Sequence, residues 1–317
     1  MRILVTGGAG FLGSVLVKRL IGKGHEVDVL DDFSRGSRSR LSGVNCNVSH
    51  GDIRDPQAVR AAMQGCHAVI HMAYVQGTDT FYSEPQLVLD VAVRGMLNVL
   101  AACEKTGCRE LILISSSEVY QEAPVPTEES VPLVVPDPLN PRYSYNGGKI
   151  ISEVMAAAWQ RTGILRRLVI VRPHNVYGPD AGWKHVIPEF AIRMRKLASQ
   201  YPDGIIPFPV QGTGAETRAF CHVDDFADQM MLVMGASDGI YHIGNDEEVS
   251  IEHLAHLIGK HYNRDIEIIP GALLKGSPHR RCPDISKVRA LGYEPRVLLA
   301  GGIGPVLDWY DAHPGPG

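Results

Sequence analysis

Two hydrophobic periods alternate along the first half of the chain. Ile3, Leu4 and Val5 form an unbroken apolar run, the pattern of a strand covered on both faces in a parallel sheet. Thr6-Gly7-Gly8-Ala9-Gly10 interrupts it, and Phe11, Leu12, Val15, Leu16 and Leu20 then recur at helical spacing. Residues 26–30 read as a second strand, 47–49 lead into a strand end at Gly51-Asp52-Ile53, and 68–73 read as a fourth strand. A long helix over 86–105, a strand over 111–114, a helix over 143–160 and a sixth strand over 167–171 follow. Short buried strands alternating with helices predict an α/β fold with a doubly wound parallel sheet.

The pattern loosens after Pro173. Residues 183–197, 228–234 and 251–260 read as helices, 240–243 and 266–269 as strands, and 201–214 and 271–278 as Pro- and Gly-rich loops. The expectation is a dinucleotide-binding domain over 1–172 and a smaller C-terminal α/β substrate-binding lobe over 173–317. A segment at about 215–245 returns to the first domain. Residues 123–141 carry six prolines, which cannot join a central strand, so this stretch is expected as a surface connection.

The interruption after the first strand carries the first chemistry. Gly7, Gly10 and Gly13 stand at G-x-x-G-x-x-G spacing between strand and helix. Glycines let the backbone approach a ligand closely, and a helix N-terminus offers free N–H groups and partial positive charge to a phosphate. Gly7, Gly10, Phe11 and Leu12 are therefore candidate cofactor-binding residues at a dinucleotide pyrophosphate. Asp31, at the end of the second strand, can accept hydrogen bonds from the adenosine ribose and would repel a 2′-phosphate, which favours NAD over NADP. Arg35, Arg38 and Arg40 in the next loop oppose that preference. Asp52 and Ile53 are candidates near the adenine, and Ala73 is a small residue where the cofactor would cross. His71 reads as packing.

Tyr145 and Lys149 form Y-x-x-x-K, one turn apart on one helix face. A lysine beside a phenol favours the phenolate, so Tyr145 is expected below its ordinary ~10, as a general base toward a sugar or alcohol hydroxyl. Gly147 and Gly148 let that face approach a cofactor. Ser115-Ser116-Ser117 emerges at the C-terminal end of the fifth strand, where open α/β sheets bind ligands. A hydroxyl there can bond the oxygen that Tyr145 deprotonates.

Composition narrows the partners. The 317 residues are 44% hydrophobic and 21% charged, ordinary for a globular protein. Net charge is −4 and basic residues cluster only in pairs such as Arg166-Arg167, which excludes a nucleic-acid footprint. No apolar stretch is expected to reach the ~20 residues of a membrane span. Six cysteines without C-x-x-C spacing read as free thiols in a reducing compartment, with no metal site. The core strand begins at once, so the expectation is a cytoplasmic protein without a leader.

Taken together, the motifs resemble the extended short-chain dehydrogenases, specifically the NAD-dependent nucleotide-sugar epimerase/dehydratase family. The resemblance rests on residues 6–13, Asp31, 51–53, 70–73, 115–120, 145–149, 172–179, 217–225 and 281–287, running nearly end to end. It implies a Rossmann domain holding NAD and a C-terminal lobe holding a nucleoside-diphosphate sugar. It also implies catalytic roles for Ser116 and Tyr145, nicotinamide-ribose binding by Lys149, and substrate-binding roles for Asn175, Arg218 and Arg281. A homodimer through the helices at 86–105 and 143–160 is implied too. The chain departs from the family at Ala92, where Asn is usual, and at His174.

The family reactions all begin with oxidation at C4 of the sugar. A C4 epimerase then returns the hydride to the other face. A 4,6-dehydratase needs an acid to expel the C6 hydroxyl, and Ser117-Glu118 resembles its pattern of an acidic residue after Ser/Thr. A uronate decarboxylase also carries Ser-Glu, but its Arg after Gly-Pro is here Asp180. The epimerase is the first expectation. The dehydratase, the decarboxylase, a keto-sugar reductase and, outside enzymes, an NAD-binding redox sensor are the alternatives. Trp183, His185, Phe208 and Gln211 are candidates to shape the sugar-nucleotide pocket.

Overall fold

The computed structural model describes residues 1–273 and 276–313. Its first six strands are β1 (Arg2–Thr6), β2 (Glu26–Asp31), β3 (Asn47–His50), β4 (Ala68–His71), β5 (Glu110–Ile114) and β6 (Arg167–Pro173). With strand Gly239–Ile243 they form one seven-stranded sheet, in the order Gly239–Ile243, β6, β5, β4, β1, β2, β3. Every pairing in it is parallel. The fold is thus a Rossmann-type α/β sheet. Ile3, Leu4 and Val5 are fully buried, as an unbroken apolar run on a doubly covered sheet requires. The chain winds outward from β1 to β3 and then crosses back past β1 to β4. Strand order therefore reverses between β1 and β4, and the crevice beyond their C-terminal ends is where such sheets take ligands.

Helices cover both faces. They are α1 (Phe11–Gly22), α2 (Pro56–Ala62), α3 (Thr78–Ser83), α4 (Pro85–Thr106), α5 (Tyr143–Arg161), α6 (Val186–Gln200) and α7 (Val223–Met234). On one face Leu16, Val17 and Leu20 of α1 pack with Phe226, Met230 and Val233 of α7. On the other, Val59, Met96, Val99, Leu100 and Ala156 join α2, α4 and α5 to the sheet. A third apolar cluster unites α6, strands Ile206–Val210 and Ile266–Pro270, helix Ile251–His261 and the terminal helix Leu299–Ala312.

Several elements differ from the sequence expectation. α7 starts at Val223, five residues early, because the His222 side chain accepts a hydrogen bond from the Asp224 amide and caps it. The helix expected from 183 starts at Val186, and Trp183 instead packs on Tyr310, ring centroids 5.1 Å apart. The expected loop at 201–214 contains strand Ile206–Val210, paired in parallel with Ile266–Pro270. Pro207 and Pro209 are tolerated because a two-stranded sheet leaves every strand an edge. Within the expected loop at 271–278, Leu274 and Lys275 lie outside the described residues. Contrary to the expectation on membrane spans, α4 is long and apolar enough to cross a membrane by length and composition, with 22 residues and a mean hydropathy of 1.5 over an 18-residue window. A core helix passes the same test, and Val88, Val91, Ala92, Met96, Val99 and Leu100 of α4 are buried inside the fold.

Two small pairings position side chains. Strand Arg280–Arg281 runs parallel to Thr217–Ala219, in a register that sets Arg281 opposite Arg218. The Pro-rich stretch clasps the following residues: the Thr127 amide donates to the Cys282 carbonyl at 2.9 Å and the Asp284 amide to the Thr127 carbonyl at 2.7 Å.

Candidate active site

The glycine turn closes on itself. Gly7 has φ +72°, and a Cβ there would lie 2.8 Å from backbone atoms of Ala73. A Cβ on Gly13 would come within 2.2 Å of the Gly7 carbonyl oxygen. Gly10 differs, because its Cβ would meet only the Gly7 oxygen, at 3.2 Å. Gly10 therefore faces open space at the start of α1, whose N-terminus no side chain caps. The first amides of α1, at Phe11 and Leu12, point into that space with the helix dipole behind them. Asp31 is buried and accepts the Ala9 amide and the Phe33 amide, each at 2.9 Å. Each bond occupies one lone pair of its carboxylate oxygen and leaves others for a ribose.

The three arginines after Asp31 are engaged within the protein. Arg40 grips Asp180 through Nε and Nη2 at 2.6 and 2.7 Å, Arg38 lies 4.5 Å above the Phe33 ring, and Arg35 donates to the Gln76 carbonyl. Asp52 is bound by Arg54, Nη2 to Oδ2 at 2.6 Å. The Ile53 side chain fills the space left by Gly95 of α4, where a Cβ would meet it at 2.3 Å. The Ala73 amide donates to Thr6 Oγ1 at 3.2 Å, and His71 bonds the same hydroxyl at 2.8 Å. Burial first, and Lys149 second, push His71 down to about 3, so it is a neutral packing residue.

Tyr145 and Lys149 lie in the first two turns of α5, opposite the short 3-10 turn Ser117–Val119. Ser116 precedes that turn, and its Oγ accepts the Glu118 amide at 3.1 Å. Asn146 pins the turn to α5 by donating to the Glu118 and Val134 carbonyls at 2.8 and 3.0 Å. Ser115 instead donates to Glu153, which pairs with Arg172 at 2.6 Å beneath the site. Ser117 is buried within the turn.

The expected lowering of Tyr145 by Lys149 does not appear. Burial pushes the phenol up to about 12, against a hydrogen bond from the Ser116 hydroxyl that pulls it down. Burial also drives Lys149 down to about 7, opposed by Glu153. Lys149 Nζ donates to the Ile114 carbonyl at 2.8 Å and sits 5.8 Å from the Tyr145 ring centroid. Spacing puts both residues on one face, but desolvation of each, which spacing does not show, governs their charge.

From the 3-10 turn, Glu118 pairs with Arg281 and lies 3.7 Å from Arg142. Burial raises its carboxyl, but Arg281, Arg142 and Arg218 outweigh that and hold it below the usual range. Arg218 is pushed down to about 10 by burial and then by Arg281, its strand neighbour. Nη2 of Arg281 is buried without a hydrogen-bond partner among the described residues. Asn175 adopts φ +37° and donates to the Ala219 carbonyl at 3.0 Å. Asn175, Arg218, His185, Phe190, Arg193 and Gln211 line a cavity of about 610 Å³. Phe208 is fully buried and packs edge-on against Phe190, so it and Trp183 are packing residues. Two site residues escape the sequence analysis, Arg142 and Tyr74. Neither belongs to a motif, and only their contacts reveal them.

The profile of the NAD dependent epimerase/dehydratase family matches residues 3–244. The chain belongs to this family. The family's cofactor is NAD, and the open Gly10, the uncapped α1 and the remaining lone pairs of Asp31 fit it. Relatives include UDP-glucuronic acid decarboxylase 6 of Arabidopsis thaliana, 33% identical, covering 97% of this chain and 88% of the relative. A UDP-N-acetyl-alpha-D-glucosaminuronate decarboxylase of Bacillus cytotoxicus is 29% identical, covering 98% and 97%. Among solved structures, the UDP-glucose 4-epimerase of Thermus thermophilus in complex with NAD superposes with a TM-score of 0.85 at 27% identity, covering 99% and 100%. DesIV, a dTDP-glucose 4,6-dehydratase of Streptomyces venezuelae with NAD bound, gives 0.85 at 30% identity, covering 99% and 98%. Family members thus include epimerases, dehydratases and decarboxylases of nucleotide sugars.

Proposed function

We propose that this enzyme is a nucleotide-sugar C4 epimerase. The observation that carries this reading is the pairing of Glu118 with Arg281. A carboxyl held below its usual range stays ionised at neutral pH and is a poor donor for expelling the C6 hydroxyl, the step a 4,6-dehydratase requires. Acid–base work then rests on Tyr145, and an epimerase needs no other acid. Tyr145 takes the C4 hydroxyl proton when ionised, a state that burial opposes and that charged Lys149 and a hydrogen bond from Ser116 favour; Ser116 bonds the same substrate oxygen. NAD, held at the Gly7–Leu12 turn and Asp31, would supply the hydride acceptor and donor for C4. The 4-keto sugar turns over between the two transfers, and Tyr145 gives its proton back. Ser117 serves in shaping the turn that presents Ser116 and Glu118.

Gly7, Gly10, Phe11, Leu12, Asp31, Asp52, Ile53 and Ala73 are assigned to NAD, together with Tyr145 and Lys149. Asn175, Arg218 and Arg281 are assigned to the nucleotide sugar, and residues 173–317 to the lobe that holds it. A second copy of the chain is proposed to cover Leu89 and Leu97 of α4 and Ile151 and Val154 of α5, which are exposed. Light scattering at the mass of one chain would refute that dimer.

Uronate decarboxylation is the second reading. The named sequence relatives favour it; the partnerless Arg281 Nη2 does not discriminate, since a uronate carboxylate or the diphosphate of any nucleotide sugar would satisfy it. Asp180, occupied by Arg40, speaks against it. Incubating the purified protein with UDP-glucose, UDP-glucuronate and dTDP-glucose, without added NAD, separates the readings. Unchanged mass with new C4 stereochemistry by NMR is the expected result. Loss of CO2 from UDP-glucuronate establishes the second reading, and loss of water overturns both.

A further inference from the structure

Tyr74 touches both members of the Tyr145/Lys149 pair. Its ring lies edge-on to Tyr145, with centroids 5.2 Å apart and planes at 83°. Lys149 Nζ stands 3.8 Å from the centroid of the same ring, well within the range of a cation–π contact. The Tyr74 hydroxyl donates to the Tyr145 carbonyl at 3.3 Å. The hydroxyl fits because Gly148 has no side chain. A Cβ on Gly148 would lie 2.2 Å from Tyr74 Oη and 2.8 Å from the Ala92 Cβ. A larger residue at 148 would take the space that Tyr74 uses.

From this packing we infer that Tyr74 is a positioning residue for the acid–base pair, holding Lys149 as an ammonium with its ring face while fixing the plane of Tyr145. The inference rests on the reading of Tyr145 as the base. Its logic is electrostatic. Lys149 is buried, its hydrogen bond goes to a neutral carbonyl, and burial disfavours its charge. An electron-rich ring face partly replaces the lost hydration. The other groups facing Lys149 are Glu153, which supports its charge, and neutral His71. Those facing Tyr145 are Ser116, Glu118, Arg281 and Arg35. None of these groups changes when the Tyr74 ring is altered. Tyr74 itself is held protonated by burial and by Tyr145, so it titrates in neither limb.

Activity needs Tyr145 ionised and Lys149 charged. With Lys149 at about 7 and Tyr145 at about 12, the active charge pair is a minor fraction, on a plateau of the pH–activity bell between those two limits. Loss of the ring face lowers Lys149 and thereby raises Tyr145, so the plateau drops and its limbs move apart. A purely structural role lowers the profile without moving its limbs. The test compares NAD-loaded wild type, Tyr74→Phe, Tyr74→Leu, and the protein carrying tetrafluorophenylalanine at position 74. The last keeps the shape of Phe and weakens the ring face. Tyr74→Phe is expected to keep the bell width. Tyr74→Leu and the fluorinated protein are expected to move each limb outward by up to about one pH unit, tenfold in the ionisation constant, with a lower plateau. Ultraviolet titration of the Tyr145 phenolate, isolated by subtracting Tyr145→Phe, is expected to move upward in step.

An unchanged bell width and titration in the fluorinated protein overturn the inference, and that protein decides the matter if Tyr74→Leu fails to fold. Undiminished turnover in Tyr145→Phe overturns the base assignment itself, whatever the Tyr74 variants do.

Discussion

The two ends of the cleft are built on different principles. The glycine turn is set by steric exclusion: Gly7 and Gly13 stand where any side chain would collide with backbone. The cluster of Glu118, Arg142, Arg218 and Arg281 is set by charge, with three cations around one carboxylate. The register that places Arg281 beside Arg218 sets like charges together, and Glu118 offsets part of that repulsion. The turn is complete as it stands. The charged end carries excess positive charge that an anionic substrate would neutralise, so its stability is coupled to its ligand.

The largest effect is expected between the two ends. Tyr145→Phe should lower turnover by about 10²–10⁴-fold with an unchanged melting curve, since the phenol hydroxyl contributes to chemistry rather than packing. Next is a break of the steric end. Gly13→Ala should cost about 1–3 kcal/mol through overpacking and release NAD, read by thermal melting and by the cofactor retained after gel filtration. Retention of both would show that the turn is more plastic than its contacts indicate.

A smaller effect is expected at the charged end. Glu118→Gln should cost about 1–2 kcal/mol, discounted for partial exposure, and a nucleoside diphosphate should recover more stability in the variant than in wild type. The pH dependence has a definite sign. Because the Glu118 carboxyl is held below its unfolded value, its contribution is complete above about pH 4.3 and is lost as pH falls through the lower folded value. Melting curves of wild type and Glu118→Gln should therefore converge in acid. The smallest effect is Asp180→Asn, which frees Arg40 at a half-buried pair and should cost about 1 kcal/mol, reduced further by salt.

The sterically built end was the more legible in sequence. A buried apolar run, a glycine-spaced break and a helical period are local signals, and β1, the turn and α1 lie within 22 residues. Strand Ile206–Val210 was masked by Pro207 and Pro209, and the terminal helix by Gly301, Gly302, Gly304 and Pro305, because propensity there is overridden by packing. The motif residues Ser116, Tyr145 and Lys149 could be named, but their charge states could not, since burial is a property of the assembled fold. Tyr74 contacts a residue 71 positions away, and Arg281 meets Glu118 across 163. No periodicity connects such pairs.

Asp31 has a consequence for how readily the enzyme can change its redox currency. Its carboxylate, besides the ribose contact proposed for it, ties the Ala9 amide of the glycine turn to the Phe33 amide of the next loop. A Cβ on Gly36 would fall 2.6 Å from Asp31 Oδ1, so the loop is moulded around that side chain. Replacing Asp31 to admit a 2′-phosphate would remove the brace that shapes the pyrophosphate turn. Evolution or engineering toward NADP at this site must rebuild the turn and the loop together, which makes the cofactor preference hard to reverse by single substitutions.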